Sequence, residues 1–119
     1  MKVRWGVIGA GGIARRRTIP EVLRFAEKSE IIALMDVDRE ALSAAASAFG
    51  IPRVHLTVEE LLREDIDAVY IASPVAFHYT QTKQALEAGK HVLCEKPLAL
   101  RVEEAEELLE LAEKNNLKF

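Results

Sequence analysis

Short apolar runs alternate with helical patterns along the whole chain. The apolar runs predict five strands, at residues 3–8, 31–35, 53–56, 67–72 and 91–94. Helical spacing with its start and stop residues predicts helices at 12–28, 40–49, 57–63, 76–88 and 102–114. This alternation predicts an α/β fold, a doubly wound parallel sheet with right-handed crossovers and the Rossmann strand order 3-2-1-4-5. Residues 117–119 predict the start of a sixth strand, truncated by the last residue.

Pro20 interrupts the first helical stretch, because a proline inside a helix has no N–H to donate. Thr18 and Glu21 have the spacing of a capping box around it. We therefore predict a short helix from Gly12 and a restart near Ile19.

A glycine-rich turn joins the first strand to the first helix. Gly9, Gly11 and Ala14 match the G-x-G-x-x-G/A pattern of dinucleotide-binding folds. Gly9 permits the tight turn, Gly11 lets a pyrophosphate approach the backbone, and Ala14 lets the helix pack closely on the sheet. The helix N-terminus then offers N–H groups to the phosphates. The alternative is a turn that merely links a strand to a helix. A strand before the turn, a helix after it and an acidic residue after the next strand favour binding.

That acidic residue is Asp36, at the end of the second strand. A carboxylate there accepts hydrogen bonds from the adenosine ribose and repels a 2′-phosphate, which favours NAD over NADP. Arg39, three residues on, offers a cation to such a phosphate, so NADP stays open. The alternative for Asp36 is a loop cap, a role that Asp38 can also fill.

Composition limits the function classes. The 119 residues suffice for one domain, with 50% hydrophobic and 29% charged residues and a net charge of −3. There is no basic excess to suggest nucleic acid, no apolar run of membrane-spanning length and no cluster with metal-ligand spacing, and we expect no signal peptide. The single cysteine, Cys94, fits a reducing cytoplasm and lacks a neighbouring base for nucleophilic chemistry.

Two segments carry a more specific signal. Residues 6–14 read GVIGAGGIA, and residues 85–99 read ALEAGKHVLCEKPLA after YIASP at 70–74 and His78. In these segments the chain resembles, in register throughout, the Gfo/Idh/MocA oxidoreductases, the glucose–fructose oxidoreductase and inositol dehydrogenase family. The resemblance implies oxidation or reduction of hydroxyl and keto groups on sugar- or cyclitol-like substrates with NAD or NADP. It implies cofactor contacts at Gly9, Gly11, Gly12, Ile13, Asp36, Ser73, Pro74 and Glu95.

The resemblance also places Lys96 beside the reacting carbon. A lysine there can stabilise negative charge on the substrate oxygen or join proton transfer; the alternative is a surface lysine. His78, in the first turn of a helix, is as compatible with a structural role as with a role in the site. Val75 departs from the family, which often has Asn at this position.

Family members continue into a second α/β domain that binds substrate, and these 119 residues contain none of it. We therefore expect the chain alone to bind cofactor without turnover. We also expect unpaired backbone groups along residues 91–94 to favour self-association. Two other functions stay open, a stand-alone dinucleotide sensor and an S-adenosylmethionine-dependent methyltransferase. Lys96 favours an oxidoreductase, because neither alternative needs it.

Overall fold

All 119 residues are described by a computed structural model. Its five strands form one parallel sheet in the order β3-β2-β1-β4-β5, which confirms the predicted doubly wound fold. The strands are β1 (Val3–Ile8), β2 (Ser29–Met35), β3 (Arg53–His55), β4 (Ala68–Ile71) and β5 (His91–Cys94).

Five α-helices cover the sheet, and two of them have an N-terminus capped by a side chain. They are α1 (Ile19–Phe25), α2 (Arg39–Phe49), α3 (Val58–Leu62), α4 (His78–Glu87) and α5 (Val102–Lys114), with a 3₁₀ turn at Val75–Phe77. The Asp38 carboxylate caps α2, and Gly50 ends it with a φ of 65°. Thr57 accepts from the N–H of Glu60 at 3.2 Å and caps α3.

The first helix differs from its prediction. Residues 14–18 form π-type turns that lead directly into α1, with the N–H of Ile19 donating to the carbonyl of Ala14. A wider turn just before Pro20 lets the helix continue past the missing N–H. The predicted Thr18–Glu21 capping box is therefore wrong, because Thr18 makes no cap and Glu21 pairs with Arg17 at 2.6 Å.

The core lies on both faces of the sheet because successive side chains of each strand point to opposite faces. On β1, Val7 joins a cluster that includes Ile19 and Leu42, beneath α1 and α2. Ile8 joins the opposite cluster, which includes Leu108 of α5. Strands buried on both faces explain the continuous apolar runs of the sequence.

No sixth strand forms at residues 117–119. These residues nevertheless lie along β5, where the N–H of Val92 donates to the carbonyl of Lys118 at 2.9 Å. Leu117 and Phe119 pack against the core and are only partly exposed. The prediction that the whole β5 edge is unpaired is therefore wrong at Val92.

Candidate dinucleotide-binding site

The carboxyl ends of the strands meet at one edge, and the chain order of the sheet reverses between β1 and β4. Ligands of doubly wound sheets bind in the crevice at such a reversal. The glycine turn follows β1, Asp36 follows β2, Ser73 lies two residues after β4, and Glu95 follows β5.

Gly9 and Gly11 differ in what surrounds them. Gly9 has a φ of 100°, and a Cβ there would lie 2.8 Å from the backbone of Ala72 and Ser73. Only glycine fits so close to the end of β4. Gly11 has no φ in the left-handed region, and an added Cβ would meet nothing within 4 Å. The protein's own packing therefore does not require glycine at position 11, and a glycine there leaves the backbone open to close approach from solvent.

A cavity of about 710 Å³ opens beside this turn. This volume lies within the range of small-molecule and cofactor sites. Six of the residues predicted from sequence line it, namely Gly9, Gly11, Gly12, Asp36, Ser73 and Pro74. Sequence reasoning missed the other lining residues: Ile8, Met35, Val37, Leu56, Thr57, Val58, Glu59, Ala72, Phe77 and Gln81.

Two of the missed residues are large apolar side chains that face solvent. Val37 is 80% exposed and Phe77 is 54% exposed, although both line the cavity. Apolar walls of this kind suit a flat aromatic ring such as adenine. Their positions, next to Asp36 and within the turn after β4, are the only sequence signal that could have indicated them.

The carboxylate of Asp36 is held in place by backbone donors on both sides. Its Oδ2 accepts from the N–H of Ala10 at 2.8 Å, and its Oδ1 accepts from the N–H of Asp38 at 2.9 Å. Each oxygen can accept a further hydrogen bond, so the group can still receive ribose hydroxyls. Arg39 does not line this cavity and instead lines a smaller groove of about 280 Å³ with Leu42, Ser43, Ala46, Val54 and Leu56.

His78 is 2% exposed and joins two loops of the site. Its Nδ1 lies 2.7 Å from the carbonyl oxygen of Pro97, and its Nε2 lies 2.7 Å from that of Ser73. Each nitrogen donates to a carbonyl only when it carries a proton. Nearby, the Ser73 hydroxyl donates to Oε1 of Gln81. The turns after β4 and β5 are thus connected through a buried side chain, outside the lining of the cavity.

Glu95 continues the ladder between β4 and β5, with its N–H donating to the carbonyl of Ile71 at 2.9 Å. Its Oε2 accepts from the Tyr70 hydroxyl at 2.6 Å. Burial, followed by the hydrogen bond to Glu95, raises the pKa of Tyr70 to about 12.

Lys96 is exposed, has no hydrogen-bond or ion-pair partner, and is joined to Pro97 by a cis peptide bond. Neither Glu95 nor Lys96 lines the cavity itself.

Three other residues considered from the sequence are Ala14, Ile13 and Cys94, and they differ in burial. Ala14, on the helix that follows the glycine turn, is fully buried, as expected if this helix packs closely on the sheet, while Ile13 is 38% exposed. Burial raises the pKa of the Cys94 thiol to about 11, so the group stays protonated and a poor nucleophile at neutral pH.

No group of three or more His, Cys, Asp and Glu side chains is arranged to hold a metal ion. None of the helices has the length and apolar character needed to cross a bilayer.

Known proteins match this arrangement along the whole chain. The Gfo/Idh/MocA family model, described as an oxidoreductase family with an NAD-binding Rossmann fold, matches residues 3–119. The 1,5-anhydro-D-fructose reductase of Ensifer adhaerens is 43% identical over 107 residues, 89% of this chain and 32% of the reductase. The 3-ketoreductase KijD10 of Actinomadura kijaniata, solved with TDP-benzene and NADP, has a TM-score of 0.91 and 35% identity over 98% of this chain and 37% of its own.

A second solved structure carries the other cofactor. The WlbA dehydrogenase of Bordetella pertussis, solved with NADH and UDP-GlcNAcA, has a TM-score of 0.90 and 28% identity over 98% of this chain and 34% of its own. The chain thus spans about a third of the length of the proteins it matches. Fold, glycine turn and family model agree, and this chain belongs to the Gfo/Idh/MocA oxidoreductase family, to whose NAD-binding Rossmann-fold domain it corresponds.

Proposed function

We propose that this chain binds NAD(H), or NADP(H) less tightly, as the cofactor-binding part of an oxidoreductase acting on hydroxyl or keto groups of sugar-like substrates. The observation that carries the proposal is the open backbone at Gly11 beside a cavity of about 710 Å³ whose rim holds the Asp36 carboxylate. A linking turn would need glycine at position 9 but would have no use for glycine at position 11.

The order of the strands supports a direction for the proposed dinucleotide. Asp36 follows β2, so the adenosine ribose belongs on that side of the reversal. The pyrophosphate belongs at Gly11 and Gly12, where the N–H groups of the following helix are available. The nicotinamide half then extends past β4 towards Glu95 and Lys96, at the end of β5.

Lys96 is the residue that we propose for the chemistry. Once bound, the cofactor would supply a hydride to a carbonyl carbon whose oxygen gains a proton, or in the reverse direction would accept a hydride from a carbinol carbon whose hydroxyl loses its proton. A lysine ammonium near that oxygen stabilises the developing negative charge and can exchange the proton. Lys96 is free of protein partners, so its ammonium is available to a substrate.

The second candidate function is a dinucleotide sensor that binds without catalysis. The family assignment gives no support to the methyltransferase alternative, whereas a sensor shares every feature of the cavity. We propose that the isolated chain behaves like such a sensor, binding cofactor without turnover. Catalysis needs the substrate held close to the nicotinamide, and residues of the longer relatives would supply that contact.

The test is a ligand panel read by thermal unfolding. NADH should raise the melting temperature most, NADPH less, and S-adenosylmethionine not at all. A ligand that binds only the native state at a hundred times its dissociation constant stabilises by about 2.7 kcal/mol. Stabilisation by S-adenosylmethionine alone would contradict the proposal. Steady oxidation of a sugar or cyclitol by the isolated chain would contradict the absence of turnover.

A further inference from the structure

A chain of three side chains links the helix after the glycine turn to the segment that carries Lys96. The hydroxyls of Thr18 and Tyr70 lie 3.0 Å apart, and the Tyr70 hydroxyl lies 2.6 Å from Oε2 of Glu95. Thr18 ends the π-type turns that follow the glycine turn, Tyr70 lies on β4, and Glu95 follows β5. The three residues are 52 and 25 positions apart in sequence, so only the fold brings them together.

The direction of these hydrogen bonds is fixed by proton count. A carboxylate only accepts, so the single proton of the Tyr70 hydroxyl is donated to Glu95. The Tyr70 oxygen is then an acceptor for Thr18, which must supply its own proton. Thr18 thereby holds the Tyr70 hydroxyl in the orientation that donates to Glu95.

Tyr70 is itself rigidly packed, so it can fix the position of the Glu95 carboxylate. It is 4% exposed, and its ring packs in the same cluster as Ala14 and Ile19, beneath the glycine-turn helix. The raised pKa of Tyr70 means that its hydroxyl keeps its proton, and therefore its donor role, across the physiological range. Glu95, by contrast, is only partly buried, and its Oε1 makes no hydrogen bond to the protein.

We propose that Tyr70, directed by Thr18, is a positioning residue that holds the Glu95 carboxylate so that Oε1 can accept from a hydroxyl of the nicotinamide ribose. This inference rests on the proposed function, because it needs a dinucleotide that runs from Asp36 towards β5. The inference adds that one buried tyrosine connects the helix after the glycine turn to the nicotinamide end of the proposed site. A carboxylate with one oxygen fixed has less freedom to lose when it binds a ligand.

The test separates the two ends of the ligand by titrating the 119-residue chain with NADH and with ADP, which lacks both the nicotinamide and the nicotinamide ribose. The variants are Tyr70→Phe, Glu95→Gln and both together, with Tyr79→Phe as the matched control. Tyr79 is the only other tyrosine and also donates to a carboxylate, Glu107, but between α4 and α5. We expect Tyr70→Phe to weaken NADH binding about tenfold, the value of one hydrogen bond to a charged group. ADP binding should change less than about twofold.

The double variant distinguishes positioning from general loosening of the fold. If Tyr70 acts through Glu95, the double variant should bind NADH no more weakly than Glu95→Gln alone. Equal losses for NADH and ADP, additive losses in the double variant, or unchanged NADH binding would each overturn the inference. Failure of wild type to bind either ligand would overturn the proposed function, and the inference with it.

Thr18→Val keeps the test decisive should Tyr70→Phe fail to fold. It removes only the hydroxyl that directs Tyr70 and leaves the tyrosine ring in place. We expect a loss of about threefold for NADH, in line with one neutral hydrogen bond, and none for ADP. Wild-type affinity for NADH in this variant would contradict the assigned role of Thr18.

Discussion

The backbone N–H of Ala10 donates to Oδ2 of Asp36 across 2.8 Å, so the glycine turn is tied to the end of β2. Oδ1 of the same carboxylate accepts from Asp38. Asp36 therefore has two functions that a substitution can separate: it shapes the turn, and it presents negative charge at the rim of the cavity.

The first prediction concerns cofactor preference. Asp36→Asn keeps one oxygen acceptor of similar shape but removes the charge that repels a 2′-phosphate. We expect the ratio of NADPH to NADH affinity to rise by about tenfold, because one charge interaction at this range has that size in a partly solvated site. Isothermal titration with both cofactors measures the ratio.

Arg39→Ala is the matched control for this prediction. Arg39 lies at the start of α2 but lines the smaller groove rather than the cavity. Its removal should change the ratio less than the Asp36 substitution does. Tighter binding of NADPH than of NADH by the wild-type chain would contradict the assigned role of Asp36.

The second prediction separates the two glycines by stability. Gly9→Ala should lower the free energy of unfolding by roughly 2–5 kcal/mol, since it combines a positive φ with a Cβ 2.8 Å from backbone atoms. Gly11→Ala should change it by no more than about 0.5 kcal/mol, because the added Cβ meets nothing within 4 Å. Urea unfolding followed by circular dichroism gives both values, and equal losses would show that the turn is packed differently.

The third prediction is a loss of stability at alkaline pH. The pKa values of Cys94 and Tyr70 are raised in the folded state, to about 11 and about 12, mainly by burial. The folded state thus holds protons that the unfolded state releases from about pH 9 upward, so stability falls as pH rises through this window. Unfolding at several pH values should show this slope, and Cys94→Ala should flatten its lower part. A slope unchanged by that substitution would mean that the thiol is not the group responsible.

The fourth prediction concerns the β5 edge. Only Val92 of this strand donates to the C-terminal residues, and Leu93 is 54% exposed. An edge strand with open backbone groups and an apolar side chain favours pairing with another chain. We expect the apparent mass in light scattering to rise with concentration, and Leu93→Lys to suppress that rise. A constant monomer mass at high concentration would contradict this expectation.

Local patterns predicted much of this molecule. The glycine turn, the ends of α5, all five strands to within two residues at either end, and the strand order follow from apolar runs, caps and the alternation of elements. The turn and the bounds of the elements depend on neighbours in sequence, whereas the strand order follows from the general topology of alternating strands and helices.

Contacts between distant residues were not predictable in the same way. Tyr70 reads as one more apolar position of a buried strand, and nothing near it in sequence indicates its bond to Glu95. Thr18 has the spacing of a helix cap, but its hydroxyl pairs with Tyr70 instead. Likewise the sequence leaves two roles open for His78, and only the fold shows it between the carbonyls of Ser73 and Pro97.

Our central proposal is that the cavity beside the glycine turn receives a dinucleotide. The most direct test compares the NADH dissociation constants of wild type and Gly11→Ala by isothermal titration. Both chains must first be shown to unfold with equal stability. We predict one saturable site in wild type and a loss of at least about tenfold in the variant, because its Cβ occupies the space that the pyrophosphate approaches. Absence of binding to wild type, or equal affinity in both chains, would contradict the claim.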